Sequence, residues 1–313
     1  MSQTKQIEDS AEEDRVSGRR AGPSWDSLRK SPSYRNRRIK DKVIKILVIA
    51  CPMLVLVPLL DMLYMFVYRG AQAMTIERLT TMTVGGAALG GGGLANAIVG
   101  TLLIIALSTL FAVPIGVFAG VYIAEFSGNN RFSQMIRFTA DVLAGVPSIV
   151  LGYVGFLLLV LEFGWGYSAL AAALTLTVLM FPYILRTTEL SIRRVPDSIR
   201  EGAIALGSTK TDMINRLTLR FAIPGILTGI LLAISISVGE TAPLIYTAGF
   251  GNYIPSALLH QQVGYLTGIV WSFSQIPSAE AHDLSYLSSF LLITIVIIIN
   301  IVARVGLRKF TKI

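Results

Sequence analysis

Residues 95–124 read ANAIVGTLLIIALSTLFAVPIGVFAGVYIA, a run without a single charged side chain. A helix of this length can cross the hydrocarbon core of a bilayer, which takes about 20 apolar residues. Similar runs recur along the chain, whose 313 residues are 53% hydrophobic and only 15% charged. Too few charges remain to cover a water-soluble globule of this length. The sequence therefore predicts an all-α polytopic membrane protein.

Six apolar runs are long enough to span a membrane. They are residues 43–68, 95–124, 142–161, 167–185, 221–246 and 286–305. Six spans put both termini on one side, and 25 of the 27 Lys and Arg residues fall in segments on that side. Since basic residues beside spans stay in the cytoplasm, we expect both termini to be cytoplasmic.

The runs divide the chain into regions. Residues 1–42, with 11 basic and seven acidic residues, are interpreted as a largely disordered cytoplasmic tail, and 43–68 as the first transmembrane helix. Residues 69–94 form an outer, glycine-rich loop, 95–306 a five-helix body, and 307–313 a cytoplasmic C-terminus. The formal charge of +8 then reflects topology and contact with anionic lipid, and we expect no nucleic-acid partner.

Several kinds of chemistry find no motif here. The chain has no phosphate-binding P-loop and no signature of a serine hydrolase or zinc protease. Its one cysteine, Cys51, excludes an intrachain disulfide, and its two histidines, His260 and His282, do not match a helical metal-binding spacing. We expect no catalytic residue, metal or cofactor, which leaves transport or membrane scaffolding.

Ionisable side chains within or at the ends of spans are the first candidates for function, because burying them in hydrocarbon is costly. Asp61 is near the outer half of the first span and can reach the interface there. Arg186 and Glu189 are three residues apart at the cytoplasmic end of the fourth span, so a local ion pair and a place on a transport pathway are both open.

Glu240 lies deep in the fifth predicted span. Gly239 and Pro243 flank it and loosen the helix, which frees backbone groups that must be satisfied inside the protein or along a polar cavity. Hydroxyl residues Ser237 and Thr241 lie in the same stretch. The pattern favours a functional or subunit-pairing role for Glu240 over an isolated structural hydrogen bond.

The segment between the fourth and fifth spans predicts a helical hairpin on the cytoplasmic face, with its first helix over 198–207. Ser198 and Glu201 have the spacing of a capping box, and Gly207 is a typical helix stop. One apolar face comprises Ile199, Ala203 and Leu206. Thr209 can cap the second helix. The hairpin is either a plain surface feature or a lever that docks on a cytosolic partner.

At this point a resemblance to a known family emerges. Glu201-Gly202-Ala203, followed by Gly207 and then Leu217 and Leu219, resembles the E-A-A…G…I-x-L-P motif of ABC importer permeases. Further stretches look like the PstA-type phosphate permeases of that group. These are GGLANAIVGT (92–101), AVPIG (112–116), LAGVPSI (143–149), RTTE (186–189), VPDS (195–198) and GETAPL (239–244).

The resemblance implies a MetI-like permease of a type I ABC importer in a prokaryotic inner membrane. Its partners would be a second permease (PstC-type), two ATPases (PstB-type), an outer phosphate-binding protein (PstS-type) and membrane lipid, with ATP hydrolysis in the ATPases. The coupling helix would use Glu201, Gly202, Ala203, Leu206 and Gly207. The translocation pathway would use Arg186, Glu189, Ser237, Glu240 and Thr241. Helix bending would occur at Gly239 and Pro243.

The chain departs from the family pattern at three positions. The family commonly has arginine four residues before the glutamate of G-E-T, where this chain has Ile236, so the positive charge for phosphate would come from the partner permease or from Arg186. Gly202 replaces the second alanine of E-A-A, and Arg220 replaces the final proline. A permease for sulfate or molybdate is the alternative; a secondary transporter or a scaffold fits the motifs less well.

Overall fold

The computed structural model describes residues 32–84, 91–128 and 130–310, and helix dominates this part of the chain. Five of its helices are long and apolar enough to cross a membrane, and a pair of helices bent by 106° is a sixth candidate. The all-α polytopic class is confirmed. The tail over 1–31, the glycine run over 85–90 and the last three residues lie outside the described part.

The elements follow one another as a series of long helices with short connecting ones. In the N-terminal part they are α1 (Pro32–Ala73), α2 (Ile76–Thr80), β1 (Thr83–Val84), β2 (Gly91–Gly92), α3 (Ala95–Val121), α4 (Arg131–Gly145) and α5 (Ser148–Gly155). After these come α6 (Ala169–Arg193), α7 (Asp197–Ala205), α8 (Lys210–Met213), α9 (Leu219–Val238), α10 (Ala242–Thr247), α11 (Leu266–Phe273) and α12 (Ala279–Phe310). Helices α3, α5 and α8 continue into π-helical turns, Tyr122–Phe126, Phe156–Glu162 and Ile214–Thr218.

The first helix begins at Pro32, so the prediction of a disordered tail is wrong for residues 32–42. Proline is well tolerated in the first turn of a helix, and the Arg and Lys residues that follow have good helix propensity. Up to Tyr64 this helix is a compact unit of its own, and the second unit starts at Met65. Large apolar side chains in the first unit, such as Leu54 at 78% and Val48 at 65%, are exposed, as lipid contact requires.

Helix α6 is the most buried span of the second unit, with α3 and α9 packed against it. Leu176, Met180 and Ile184 on α6 are fully buried. Small residues bring the backbones close: a Cβ at Gly120 of α3 would lie 2.6 Å from the Cβ of Thr188 on α6. Such close approach at small residues is how helices associate when lipid removes the hydrophobic driving force.

Two predicted spans are interrupted. The run 142–161 is not one helix, because the chain turns at Val146 (φ −75°, ψ 130°), whose extended conformation is the one favoured before a proline, here Pro147. The run 221–246 is broken between α9 and α10. Hydropathy alone does not reveal either break, because the residues on both sides of each break are apolar.

The segment between α10 and α12 is joined to the spans by buried hydrogen bonds. The side-chain amide of Asn96 donates to the Gly251 carbonyl at 2.7 Å, and the Leu266 amide donates to the Thr101 hydroxyl at 2.9 Å. The short strands β1 and β2 pair antiparallel, and the Gly92 amide donates to Glu280 on α12. Helix α12 starts at Ala279, ahead of the predicted span at 286, and its first turn contacts β2.

Candidate functional site

The charged residues of α6 lie in a cluster with residues that sequence analysis did not select. Arg186 and Glu189 are joined at 3.3 Å, which confirms the predicted local ion pair. Around them lie Arg137 and Asp141 of α4 and Arg193 of α6. These five residues, termed here the α6 charge cluster, contain three arginines and two carboxylates. An anion that reached the cluster would meet a net positive charge.

Glu189 is the centre of this cluster. Its side chain is only 6% exposed and lies 3.0 Å from Arg137 Nε, 3.1 Å from Arg193 and 3.3 Å from Arg186. A carboxylate withdrawn from water this far is costly unless it is paired and hydrogen-bonded, and three guanidinium groups meet that need. Glu189 therefore holds α4 against α6.

Arg186 is not a free cation. Its guanidinium bonds both oxygens of Asp141 on α4 in addition to Glu189. The fork-to-fork geometry with Asp141 is the strong, directional form of an arginine–carboxylate contact. Sequence analysis offered Arg186 as a replacement for the positive charge missing at Ile236. In the structure the Arg186 guanidinium is already paired with Asp141 and Glu189.

Glu240 lies in the break between α9 and α10. Its amide donates to the Ser237 carbonyl at 3.2 Å, and its own carbonyl accepts from the Thr267 hydroxyl at 2.9 Å, so both backbone groups of Glu240 are hydrogen-bonded. Its carboxylate lies close to the side chain of Ser148, the first residue of α5. The two breaks therefore meet at one place, with Glu240 between them.

Ser237 and Thr241 border the same break. Ser237 is 1% exposed, and its Oγ has no hydrogen-bond partner among the described residues. Thr241 precedes α10 without capping it through its side chain. Gly239 follows the last residue of α9, and Pro243 is the second residue of α10, so the two flank the interruption. The structure thus brings Ser237, Glu240 and Thr241 together and adds Ser148.

The two groups of predicted pathway residues occupy different levels. Gly229 of α9 faces Thr187 of α6, beside Arg186. From Gly229 to Glu240 is eleven residues, about 16 Å along a helix at 1.5 Å per residue. The contacts described above for Glu240 and those of the α6 charge cluster involve different residues. An anion that passed both the α6 charge cluster and the break around Glu240 would meet two separate polar sites.

The predicted helical hairpin is present, with a different start. Helix α7 runs from Asp197 to Ala205, and Pro196 precedes it without a side-chain cap. The predicted capping box is therefore wrong, because Ser198 already lies inside the first turn. The helix stop is confirmed: Gly207 has φ +84°, a conformation that glycine adopts without a Cβ penalty.

The faces of α7 differ sharply. Glu201, Gly202 and Gly207 are exposed, and Leu206 is 89% exposed. Ala203 is buried and packs against Met213 and Ile214, whereas Leu206, predicted to share its face, follows the last residue of α7 and does not join that contact. Thr209 caps the next helix as predicted, since its hydroxyl accepts from the Asp212 amide at 3.2 Å. One side of α7 is anchored and the other is open, with a large apolar side chain at its end.

Within the described part of the chain, no group of three or more His, Cys, Asp or Glu residues is arranged to hold a metal ion. The polar groups that the structure assembles are the α6 charge cluster, the break around Glu240 and the exposed face of α7. Together with the interrupted spans they define a class, the helical membrane proteins that hold charged groups among their spans.

Comparison with known proteins narrows this class. Residues 112–312 match the family model described as binding-protein-dependent transport system inner membrane component. The chain is 39% identical to the phosphate transport system permease protein PstA 2 of Mycobacterium bovis, over 92% of this chain and 94% of that protein. It is 37% identical to phosphate transport system permease protein PstA of Yersinia pestis, over 91% and 95%. The chain belongs to the binding-protein-dependent transport system inner membrane component family.

A solved structure supports the fold independently. The MetNI methionine ABC transporter in an inward-facing conformation contains a chain that aligns with a TM-score of 0.57 at 20% identity, over 69% of this chain and 96% of that one. At this identity the likeness concerns the fold alone. It confirms the MetI-like permease architecture.

Proposed function

We propose that this chain is the permease subunit of an ATP-driven phosphate importer in a prokaryotic inner membrane, with both termini in the cytoplasm. The support for phosphate is the series of relatives named phosphate transport system permease, which match more than nine-tenths of the chain. The support for the orientation is the bias of 25 of 27 basic residues to one side.

The observation that carries a coupled function is the two-sided structure of α7. A helix that is anchored through Ala203 and leaves Leu206 89% exposed is suited to dock on another protein. We assign Glu201, Gly202, Ala203, Leu206 and Gly207 to this coupling helix. The partners are two cytosolic ATPases, which carry out ATP hydrolysis; this chain has no P-loop of its own.

The remaining partners follow from the same proposal. A second permease completes the translocation pathway, an outer phosphate-binding protein delivers the substrate, and lipid surrounds the exposed apolar helices. No role in nucleic-acid binding is proposed, because the basic residues are accounted for by topology.

A doubly charged oxyanion crosses hydrocarbon only through a polar cavity with donors and positive charge. The break supplies the hydroxyls of Ser237 and Thr241 beside Glu240. The α6 charge cluster, which includes Arg186 and Glu189, supplies a net positive charge. The interruptions at Gly239 and Pro243 let the helices tilt when the ATPases close on α7. Access then alternates between the two faces of the membrane.

The experiment that tests this proposal is growth on limiting phosphate. The cells have the chromosomal copy of this gene deleted and carry the intact gene or a variant on a plasmid. We expect the intact chain to restore growth and Glu201→Arg to fail while reaching the membrane at normal levels. An exposed hairpin variant outside α7, Asn215→Arg, is the matched control and restores growth. Normal growth with Glu201→Arg would contradict the coupling role of α7.

A further inference from the structure

Beneath the coupling helix lies a buried ion pair that none of the motifs indicates. Arg200 of α7 lies 2.6 Å from Glu125, in the π-helical turn that ends α3. The two side chains are 19% and 3% exposed, and the residues are 75 positions apart in the sequence. The pair therefore ties the coupling helix to the end of a membrane span.

Arg200 makes two further contacts. Its second terminal nitrogen donates to the Ile192 carbonyl of α6 at 2.9 Å, and its Nε lies 3.8 Å from Asp197 at the start of α7. One guanidinium thus joins α7, α3 and α6. A planar group with five donors suits such a junction better than a lysine amine would.

Burial sets this pair apart from another ion pair of the same hairpin. Arg216 and Asp212 lie 3.6 Å apart with side chains 82% and 52% exposed, so water screens their attraction. Removing one member of a buried pair leaves the other charge without compensation, whereas removing one member of an exposed pair changes little. The chain thus supplies its own matched control.

The local backbone also singles out this place. Glu125 lies in the π-helical turn Tyr122–Phe126, and Ala203, one turn along α7 from Arg200, packs on Met213 and Ile214, where another π-helical turn begins. Single π turns interrupt the α-helical register and are frequent at functional sites. The coupling helix therefore contacts two such turns, one of which carries Glu125, the partner of Arg200.

We propose that Arg200 is a positioning residue: through Glu125 and the Ile192 carbonyl it fixes the coupling helix to the ends of α3 and α6, so that they move as one body. This inference rests on the proposed function, because it concerns how a push from the ATPases reaches the spans. Without the pair, ATPase movement would tilt α7 against the spans and would be lost as local motion.

The functional test uses the complete transporter in proteoliposomes, with phosphate uptake and ATP hydrolysis measured on the same samples. We expect Glu125→Gln to keep the complex assembled and hydrolysing ATP, with phosphate taken up per ATP reduced about tenfold, within the usual range of coupling effects. Arg216→Gln keeps the wild-type ratio. The exchanged pair, Glu125→Arg with Arg200→Glu, recovers part of the lost uptake. A wild-type ratio in Glu125→Gln would overturn the proposal.

A second measurement needs no phosphate. Spin labels at Ile204→Cys on α7 and Phe118→Cys on α3, both exposed sites, are introduced after Cys51→Ser removes the single native cysteine. We expect one narrow distance that is the same with and without ATP, and a broadened distribution when Glu125→Gln is added. A wild-type distance that changes with ATP would show that α7 moves independently of α3 and would refute the inference. If the wild-type complex moves no phosphate, the proposed function fails, while this distance still decides the role of the pair.

Discussion

Gly152 of α5 lies directly against Pro243 of α10: a Cβ on Gly152 would be 2.6 Å from the Pro243 Cα, well inside van der Waals contact. Both residues belong to interrupted spans, so this contact joins the two breaks. Backbone cannot yield as the end of a flexible side chain can. The close packing of α5 on α10 near Glu240 therefore requires glycine at position 152, because any Cβ there would clash with the Pro243 backbone.

The first prediction concerns this junction. We expect Gly152→Ala to lower stability by about 1–3 kcal/mol, the usual cost of overpacking, and to reduce phosphate uptake. The matched control is Gly145→Ala in the neighbouring helix α4, where an added Cβ meets no atom within 4 Å. Thermal unfolding in detergent and uptake in vesicles check both variants. Equal melting temperatures for the two would show that the contact is not tight.

The α6 charge cluster gives the second prediction. We expect Glu189→Gln to destabilise the protein by about 3 kcal/mol, because the arginines that pair with this buried carboxylate lose their compensating negative charge. Glu162→Gln, at an exposed carboxylate, is the control and leaves the unfolding temperature unchanged. Both are measured by thermal unfolding of the purified complex. Unchanged stability of Glu189→Gln would mean that α4 is held to α6 by other contacts.

The third prediction addresses Glu240. We expect Glu240→Gln to reduce phosphate uptake about tenfold, the scale of one lost charge-assisted contact, while assembly with the ATPases is unchanged. Glu240→Asp retains the charge and part of the uptake. The exposed His282, changed to Gln, serves as control and transports normally. If all three variants transport equally, Glu240 is a structural residue of the break.

The fourth prediction tests the exposed end of the coupling helix. Leu206 is 89% exposed, so Leu206→Glu costs little folding free energy, and we expect its level in the membrane to be unchanged. The charge would be desolvated in an apolar interface, and the ATPases should no longer copurify with the permease. Asn215→Glu, also exposed, copurifies normally. Retention of the ATPases by Leu206→Glu would place their docking surface elsewhere.

Much of the architecture could be predicted from composition. Long apolar runs indicate which segments cross a membrane. Within lipid the backbone N–H and C=O groups must hydrogen-bond to each other, so such segments form helices. The turn at Val146 was missed because hydropathy measures how apolar a run is and not its direction. The helical start at Pro32 was missed because polarity was taken to indicate disorder, although the residues there have good helix propensity.

The site was only partly readable for a related reason. Arg186 with Glu189, and Gly239 with Pro243, are neighbours in sequence, so their proximity followed from helix geometry. Asp141 and Arg137 lie 45 and 52 positions from their partners on α6, and Glu125 lies 75 positions from Arg200. Such contacts depend on how helices pack, and no local pattern encodes them.

The most direct test of the central claim is ATP-dependent uptake of radiolabelled phosphate into proteoliposomes that contain this chain, its second permease, the ATPases and the outer binding protein. Excess sulfate or molybdate is added as competitor in parallel samples. We predict uptake that requires ATP, disappears when this chain is omitted and is unaffected by either competitor. Absence of phosphate uptake together with transport of sulfate or molybdate would contradict the assignment and make Ile236 the first position to change.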